Sequence, residues 1–214
     1  MYDFHCHTTM SDGELIPTEL IRRMAVAGYT EMAIADHADF SNVELLIASQ
    51  EKVKRSAELY GVRLFTGVEI THVPPSEISD LAKYARSLGA EVVIVHGETI
   101  TEPVAPGTNM AAVTCPDVDI LAHPGMISDE EASLAAKNGV FLEITSRNGH
   151  NKANGHVLAS ARRAGAGVVV QSDIHGPDDI ITEKMRGLVA RGAGMNEDEA
   201  KSVLSLTSID ILSR

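Results

Sequence analysis

The chain is 214 residues long, 44% hydrophobic and 22% charged, which suits one ordinary domain with a real core and excludes a disordered tail. Its formal net charge of −12 argues against a general nucleic-acid binder, which needs a basic face to displace phosphate counterions. Two cysteines, Cys6 and Cys115, exclude a disulfide framework and a four-thiolate zinc site.

The first strand is predicted at Tyr2–His7, followed by a helix over Thr18–Ala27 that Pro17 opens and Gly28 ends. Leu20, Met24 and Ala27 give that helix one apolar stripe, with Arg22 and Arg23 on its wet side. A strand at Glu31–Asp36 leads to a helix over Val43–Tyr60, and a strand at Arg63–Ile70 to a helix over Ser76–Leu88. After a strand at Val92–His96, the stretch Gly97–Pro116 carries Pro103, Pro106 and Gly107 and reads as a functional loop with one short helix. Strands at Ile120–His123, Phe141–Thr145 and Val168–Asp173 precede helices over Asp129–Lys137, Lys152–Arg163 and Asp178–Arg191, and a last helix covers Glu197–Leu206. The strands are short and rich in Val, Ile and Phe, as buried parallel strands are.

Seven strand–helix units in sequence predict a parallel sheet with right-handed crossovers, closed into a single α/β barrel over 1–214. The rival is an open doubly wound sheet. Its glycine-rich phosphate loop after the first strand is missing here, and histidines stand in its place. No opening apolar leader and no apolar run of about 20 residues is visible, so a cytoplasmic protein with no membrane partner is expected.

The chemistry collects at the strand ends. His5 and His7, two apart on the first strand, share a face with Asp3 behind them, while Phe4 and Cys6 point oppositely. Two imidazoles so spaced can hold one metal ion. Later strands end in Ala35-Asp36-His37, Gly67-Val68-Glu69, Val95-His96-Gly97, Ala122-His123-Pro124 and Ser172-Asp173-Ile174-His175. Six of the nine histidines thus fall at carboxyl ends of predicted strands, which in a parallel barrel form one rim, where active sites sit. Imidazole and carboxylate suit zinc, manganese or iron(II). Six histidines are too many for one tetrahedral ion, and a bridging carboxylate lets two ions sit roughly 3.5–4 Å apart.

These motifs, beginning Asp-Phe-His-Cys-His-Thr with Ser11-Asp12-Gly13 and running to His175, resemble the polymerase-and-histidinol-phosphatase (PHP) superfamily in kind and in order. The resemblance implies a distorted seven-stranded TIM-like β/α barrel, (β/α)7, with three divalent ions (zinc, manganese or iron). One ion is implied at His5, His7, Glu69 and Asp173. A second shares Glu69 and adds His96 and His123. The third takes Asp12, His37 and His175. Residues 176–214 carry no motif of the family.

Around these ligands, Asp3 and Asp36 are candidates to orient an imidazole, and Gly13 and Gly97 to let substrate approach the backbone. Arg147, after the sixth strand, is the candidate to grip a phosphate bidentately, with Asn148 and Lys152 as assistants. Glu143 faces inward by alternation, toward a hydrogen bond in the site or a buried structural pairing. His150 is a possible substrate contact, His72 and His156 read as structural or exposed, and the cysteines as packed residues.

The expected activity is metal-dependent hydrolysis of a small phosphate monoester, histidinol phosphate or a similar metabolite, by a metal-bridging hydroxide. Either a metal-bound water or a rim histidine such as His175 would protonate the leaving oxygen. A phosphodiesterase or exonuclease of the same superfamily is the alternative, with nucleic acid the less expected partner given the acidic balance. A non-catalytic metal-binding module is the non-enzyme reading. A metal-dependent amidohydrolase would want a strand-end lysine, which this chain lacks.

Overall fold

The computed structural model describes residues 1–212. Its strands are β1 (Tyr2–Asp3), β2 (Glu31–Ile34), β3 (His37–Ala38), β4 (Arg63–Ile70), β5 (Val92–His96), β6 (Ile120–Ala122), β7 (Phe141–Thr145) and β8 (Val168–Gln171). All pairings are parallel. The neighbour order is β1-β2-β4-β5-β6-β7-β8, with β3 also paired to β4. A single bridge between Cys6 and Ile174 brings the ends together, with the His7 N–H donating to the Ile174 carbonyl at 2.7 Å. The result is the nearly closed seven-stranded α/β barrel of the sequence reading rather than the open sheet.

Alternation along the strands decides what fills the barrel. Phe65, Val92, Ile94, Ile120 and Val169 lie in the inner apolar cluster, whereas Val68, Val93, Val95, Leu121, Leu142 and Val170 pack outward against helices. Each inner row turns polar toward its carboxyl end: Phe65 is followed two and four residues on by Gly67 and Glu69, Val92 by Ile94 and His96, and Val169 by Gln171 and Asp173. An apolar base therefore carries a polar rim. The base is plugged by the last segment, α10 (Ser208–Leu212), whose Ile211 joins the inner cluster while Ser208 holds Glu31 through its N–H and hydroxyl.

The remaining helices are α1 (Pro17–Val26), α2 (Val43–Glu51), α3 (Lys54–Leu59), α4 (Ile78–Leu88), α5 (Thr108–Thr114), α6 (Asp129–Asn138), α7 (Asn154–Ala164), α8 (Glu183–Gly192) and α9 (Glu197–Leu204). α5 is the short helix expected inside Gly97–Pro116.

Several boundaries differ from expectation for local reasons. The first strand stops at Asp3, whose Oδ1 accepts the His5 N–H at 3.2 Å and takes the backbone out of the ladder. Strict alternation is lost there: Phe4 stacks on Tyr2 in the inner cluster, and His5 also faces inward. The predicted Val43–Tyr60 helix is split into α2 and α3. Near the break, the buried Gln50, still within α2, pairs its side-chain amide with both backbone groups of Gly67, at 2.9 and 2.8 Å, where the β2 and β3 pairings leave a gap. The helix predicted from Asp178 begins instead at Glu183, capped by Thr182, because the Asp179 carboxylate is committed to the His175 and Gly176 N–H groups. α10 was not anticipated.

α8 also sends Arg186 into the barrel wall. Its guanidinium, 1% exposed, lies 4.6 Å from the Tyr2 ring centroid and donates to the Val170 carbonyl at 3.0 Å. Burial pushes the neighbouring Asp3 up to about 6, with Ser172 and Arg186 opposing the rise. Removing that cation strands a buried carboxyl, so Arg186→Ala is expected to destabilise the fold by about 3 kcal/mol or more. Urea unfolding checks it, and a loss under 1 kcal/mol would show that Arg186 is not holding the wall.

Candidate metal centre

Nine of the sequence-predicted residues converge on the carboxyl rim. Four groups of ligand atoms lie mutually within 4.8 Å: His5, His7 and Glu69; Glu69, His96 and His123; His7, Asp12, His37 and His175; and His5, His123 and Asp173. This resembles the partition drawn from sequence, with His7 reaching into the third group and His123 approaching Asp173. Glu69 is the hub: its oxygens lie 3.3 Å from His5 Nε2, 3.0 Å from His37 Nε2 and 3.6 Å from His123 Nε2. Asp173 Oδ1 is 3.2 Å from both His7 Nε2 and His175 Nδ1. His175 Nε2 in turn faces Asp12 Oδ2 at 3.1 Å.

Backbone and outer contacts fix this arrangement. His123 and Asp173 both adopt positive φ, 26° and 54°, a conformation that costs non-glycine residues about 1–3 kcal/mol and concentrates at functional sites. The buried Glu143 holds His5 Nδ1 at 2.7 Å and accepts the His123 N–H at 2.9 Å, so the inward carboxylate joins the site. Asp3 and Asp36 do not orient imidazoles as expected. Asp3 binds the His5 backbone, and Asp36 fastens the rim loop by accepting from Thr8 N–H, Thr8 Oγ1 and Ser11 Oγ. The two glycines serve close packing rather than substrate: a Cβ on Gly13 would meet the His7 carbonyl at 2.6 Å, and one on Gly97 the Ala122 oxygen at 2.3 Å.

Electrostatics follow from burial and pairing. Burial alone would lower His5, but Glu143, Asp173 and Glu69 hold it well above the usual imidazole value. The same balance, with Glu69 dominant among the opposing groups, pushes His37 up to about 9. His123 is held well below its usual value by burial and by His96. Glu69 and Asp173 stay far below the carboxylate range despite burial, because His5 and other imidazoles surround them.

Do these residues fit a cation? His5 Nε2, His7 Nε2, Glu69 Oε1 and Asp173 Oδ1 are all buried without a hydrogen-bond partner, and each faces another across 3.2–3.7 Å. Orphaned buried lone pairs turned on one another are unfavourable unless something positive lies between them. The set fits divalent ions that accept nitrogen and oxygen donors. Such ions take the neutral imidazole, so loading is expected to release protons and affinity to rise with pH up to about 9, the range in which His37 still holds a proton that the ion must displace. Metal titration across that range checks this; affinity independent of pH would contradict it.

Arg147 reaches the same rim. It lines a cavity of about 70 Å³ with Asp12, His37, His96, His123 and Glu102, and its Nη1 donates to Asp179 at 2.9 Å. His150, stacked on His123 at 4.3 Å, lies there too. His72 stacks on His96 at 5.7 Å, which the sequence reading missed, whereas His156 is elsewhere, bonded to the Ile127 carbonyl. Glu102 was also missed: it stands on a loop with no neighbouring motif.

An α/β barrel with a histidine- and carboxylate-lined rim is the class that fold and site define. The PHP domain model matches residues 3–98. The uncharacterized protein MJ1295 of Methanocaldococcus jannaschii is 46% identical over 215 residues, spanning 100% of this chain and 99% of that one. The chain belongs to the PHP-domain family. A 5'-3' exoribonuclease of Haemophilus influenzae is 41% identical over 70 residues, covering 33% of this chain and 23% of that protein. In fold, the chain is similar to hisK of Listeria monocytogenes, a protein assigned as a histidinol phosphatase, with a TM-score of 0.65 at 12% identity, covering 86% of this chain and 99% of that one.

Proposed function

We propose that this chain is a metal-dependent phosphoesterase that hydrolyses a small phosphate monoester. The observation that carries the reading is the set of orphaned, buried imidazole and carboxylate atoms turned toward one another beside a single guanidinium. His5, His7, Glu69 and Asp173 would hold one divalent ion, Glu69, His96 and His123 a second, and Asp12, His37 and His175 a third. Bound there, such ions supply Lewis acidity and lower the pKa of water.

The chain's own groups do the positioning. Asp179 holds one arm of the Arg147 guanidinium at 2.9 Å, leaving other N–H groups to meet the non-bridging oxygens of a phosphate as charge develops on them. Glu143 fixes the ring of His5 and the backbone of His123. His175 is proposed first as a donor to the third cluster. The same ring serves as the acid for the leaving oxygen only when no cation occupies its nitrogens.

The acidic surroundings favour a monoester such as histidinol phosphate, in keeping with the fold of the Listeria protein. The exoribonuclease match favours the second reading, cleavage of a phosphodiester. Metal analysis of the purified protein, with turnover on an aryl monophosphate, its diester and a short oligonucleotide, tests both. The expected result is bound metal and fastest cleavage of the monoester. Protein that takes up no metal and cleaves none of the three defeats the proposal.

A further inference from the structure

The barrel has a seam. Among the described residues, β1 pairs only with β2 and β8 only with β7, and the two sides meet in a single bridge, Cys6 with Ile174. There the His7 N–H donates to the Ile174 carbonyl at 2.7 Å and the Ile174 N–H to the His5 carbonyl at 3.2 Å. The seam divides one group of metal donors. His5 and His7 follow β1, Asp173 follows β8, and Asp173 Oδ1 lies 3.7 and 3.2 Å from the two Nε2 atoms. Whatever fixes the width of the seam therefore fixes the spacing of those donors.

Side chains stand where the ladder is missing. Toward β8, Arg186 Nη2 donates to the Val170 carbonyl at 3.0 Å; toward β1, the same guanidinium lies 4.6 Å from the Tyr2 ring centroid. Ser172 and Arg186 both act on the Asp3 carboxylate, opposing the rise that burial imposes on it. Asp3 Oδ1 in turn accepts the His5 N–H at 3.2 Å. Asp3 Oδ2, Ser172 Oγ and Arg186 Nε are each buried without a hydrogen-bond partner. They are an acceptor, a hydroxyl and a donor, complementary in kind and contributed by β1, the end of β8 and α8. Tyr29, just before β2, holds the segment leading into α8 by donating its hydroxyl to the Ile181 carbonyl at 2.9 Å.

Opposite charges at this place answer a demand on geometry. An apolar pair would fill the same space at lower cost in desolvation. A guanidinium instead spans a strand carbonyl and a carboxylate in one rigid plane, which an ammonium cannot reproduce.

We propose that Arg186, acting with Asp3 and Ser172, is a positioning residue that sets the width of the seam and thereby the affinity of the ion between His5, His7, Glu69 and Asp173. It acts through the His5 backbone on one side and the Asp173 end of β8 on the other. The inference rests on the metal-centre reading and extends it to residues that are not ligands.

Cobalt(II) tests it, because the affinity of each bound equivalent and its visible absorption both report donor geometry. Metal-stripped wild type, Arg186→Lys, Ser172→Ala and the double variant are titrated with cobalt(II) against a chelator. Leu81→Ala is the control: Leu81 is fully buried on α4, which packs on β4 and β5 across the barrel from the seam, so its truncation costs stability alone. Arg186→Lys is expected to weaken one equivalent by about tenfold or more and to change its spectrum, with the remaining equivalents within about threefold of wild type. Ser172→Ala, which removes a hydroxyl and no charge, is expected to weaken the same equivalent by about threefold or more, and it decides the matter if Arg186→Lys does not fold. The double variant is expected to lose less than the two single losses combined, because both act on one carboxylate. Leu81→Ala is expected to melt lower without metal and to bind every equivalent as wild type does. Seam variants that bind every equivalent within about twofold of wild type, uniform weakening of all equivalents, or the same weakening in Leu81→Ala overturns the proposal and leaves the metal reading standing. Wild type that takes up no cobalt(II) overturns both.

Discussion

Glu69→Gln is expected to lower turnover of a phosphate monoester by about 10³-fold or more and to strip metal from the protein. Glu69 sits near the end of β4, where its register partner on β3 is His37. Its two oxygens lie within 3.0–3.7 Å of His5, His7, His37 and His123, so one carboxylate faces donors in all four groups. Glutamine keeps the shape and removes the charge. Lewis-acid stabilisation of a transition state is worth several kcal/mol, and about 4 kcal/mol corresponds to a factor near 10³. Glu143→Gln offers a graded comparison, because among the described residues the Glu143 carboxylate's hydrogen bonds go to His5 Nδ1 and the His123 N–H. Groups of that kind typically change metal affinity or activity by about 10–100-fold when removed. Turnover and metal content of the two variants provide the check. Equal effects, or a fully active Glu69→Gln, would remove Glu69 from the centre of the site.

Much of this arrangement was legible in the sequence because it follows from period-two alternation at strand ends. Once β4, β5 and β8 are placed, Glu69, His96 and Asp173 must lie near one rim. The first strand was less legible. Its His5-x-His7 spacing placed the two imidazoles on one face, and they do fall in one group of ligand atoms with Glu69, but the Asp3 bond to the His5 N–H overrides alternation and turns Phe4 inward as well. The Val43–Tyr60 stretch is two helices, and the buried Gln50 near the break answers a tertiary demand, the open backbone of Gly67, that no local propensity contains. Glu102 is not marked by any motif, and the place of His72 beside His96 is not foretold, for a related reason. They stand on loops, where side-chain direction is set by long-range ties such as Glu98 with Asn109 rather than by any period. The base plug, α10, is likewise defined by contacts across more than 170 residues, as between Ser208 and Glu31.

Stripping divalent ions is expected to lower the melting temperature by roughly 8–16 °C relative to saturated protein. A ligand at 1,000 times its dissociation constant stabilises the native state by about 4 kcal/mol, and for a chain of this length each kcal/mol is worth about 2–4 °C. The structure says where that free energy acts. Without a cation, His5 Nε2, His7 Nε2, Glu69 Oε1 and Asp173 Oδ1 stay buried and unpartnered, and His123 and Asp173 hold left-handed backbone conformations with nothing to offset the strain. Asp173→Asn removes one of these carboxylates while keeping its size, so its metal-free form is expected to melt closer to its metal-saturated form than wild type does. Thermal melts of both proteins after chelation and after resupply of metal measure the difference. A wild-type melting temperature indifferent to metal would mean that these buried groups satisfy one another without any ion. A shift of equal size in Asp173→Asn would place the stabilising ions among Asp12, His37, His96 and the other donors instead.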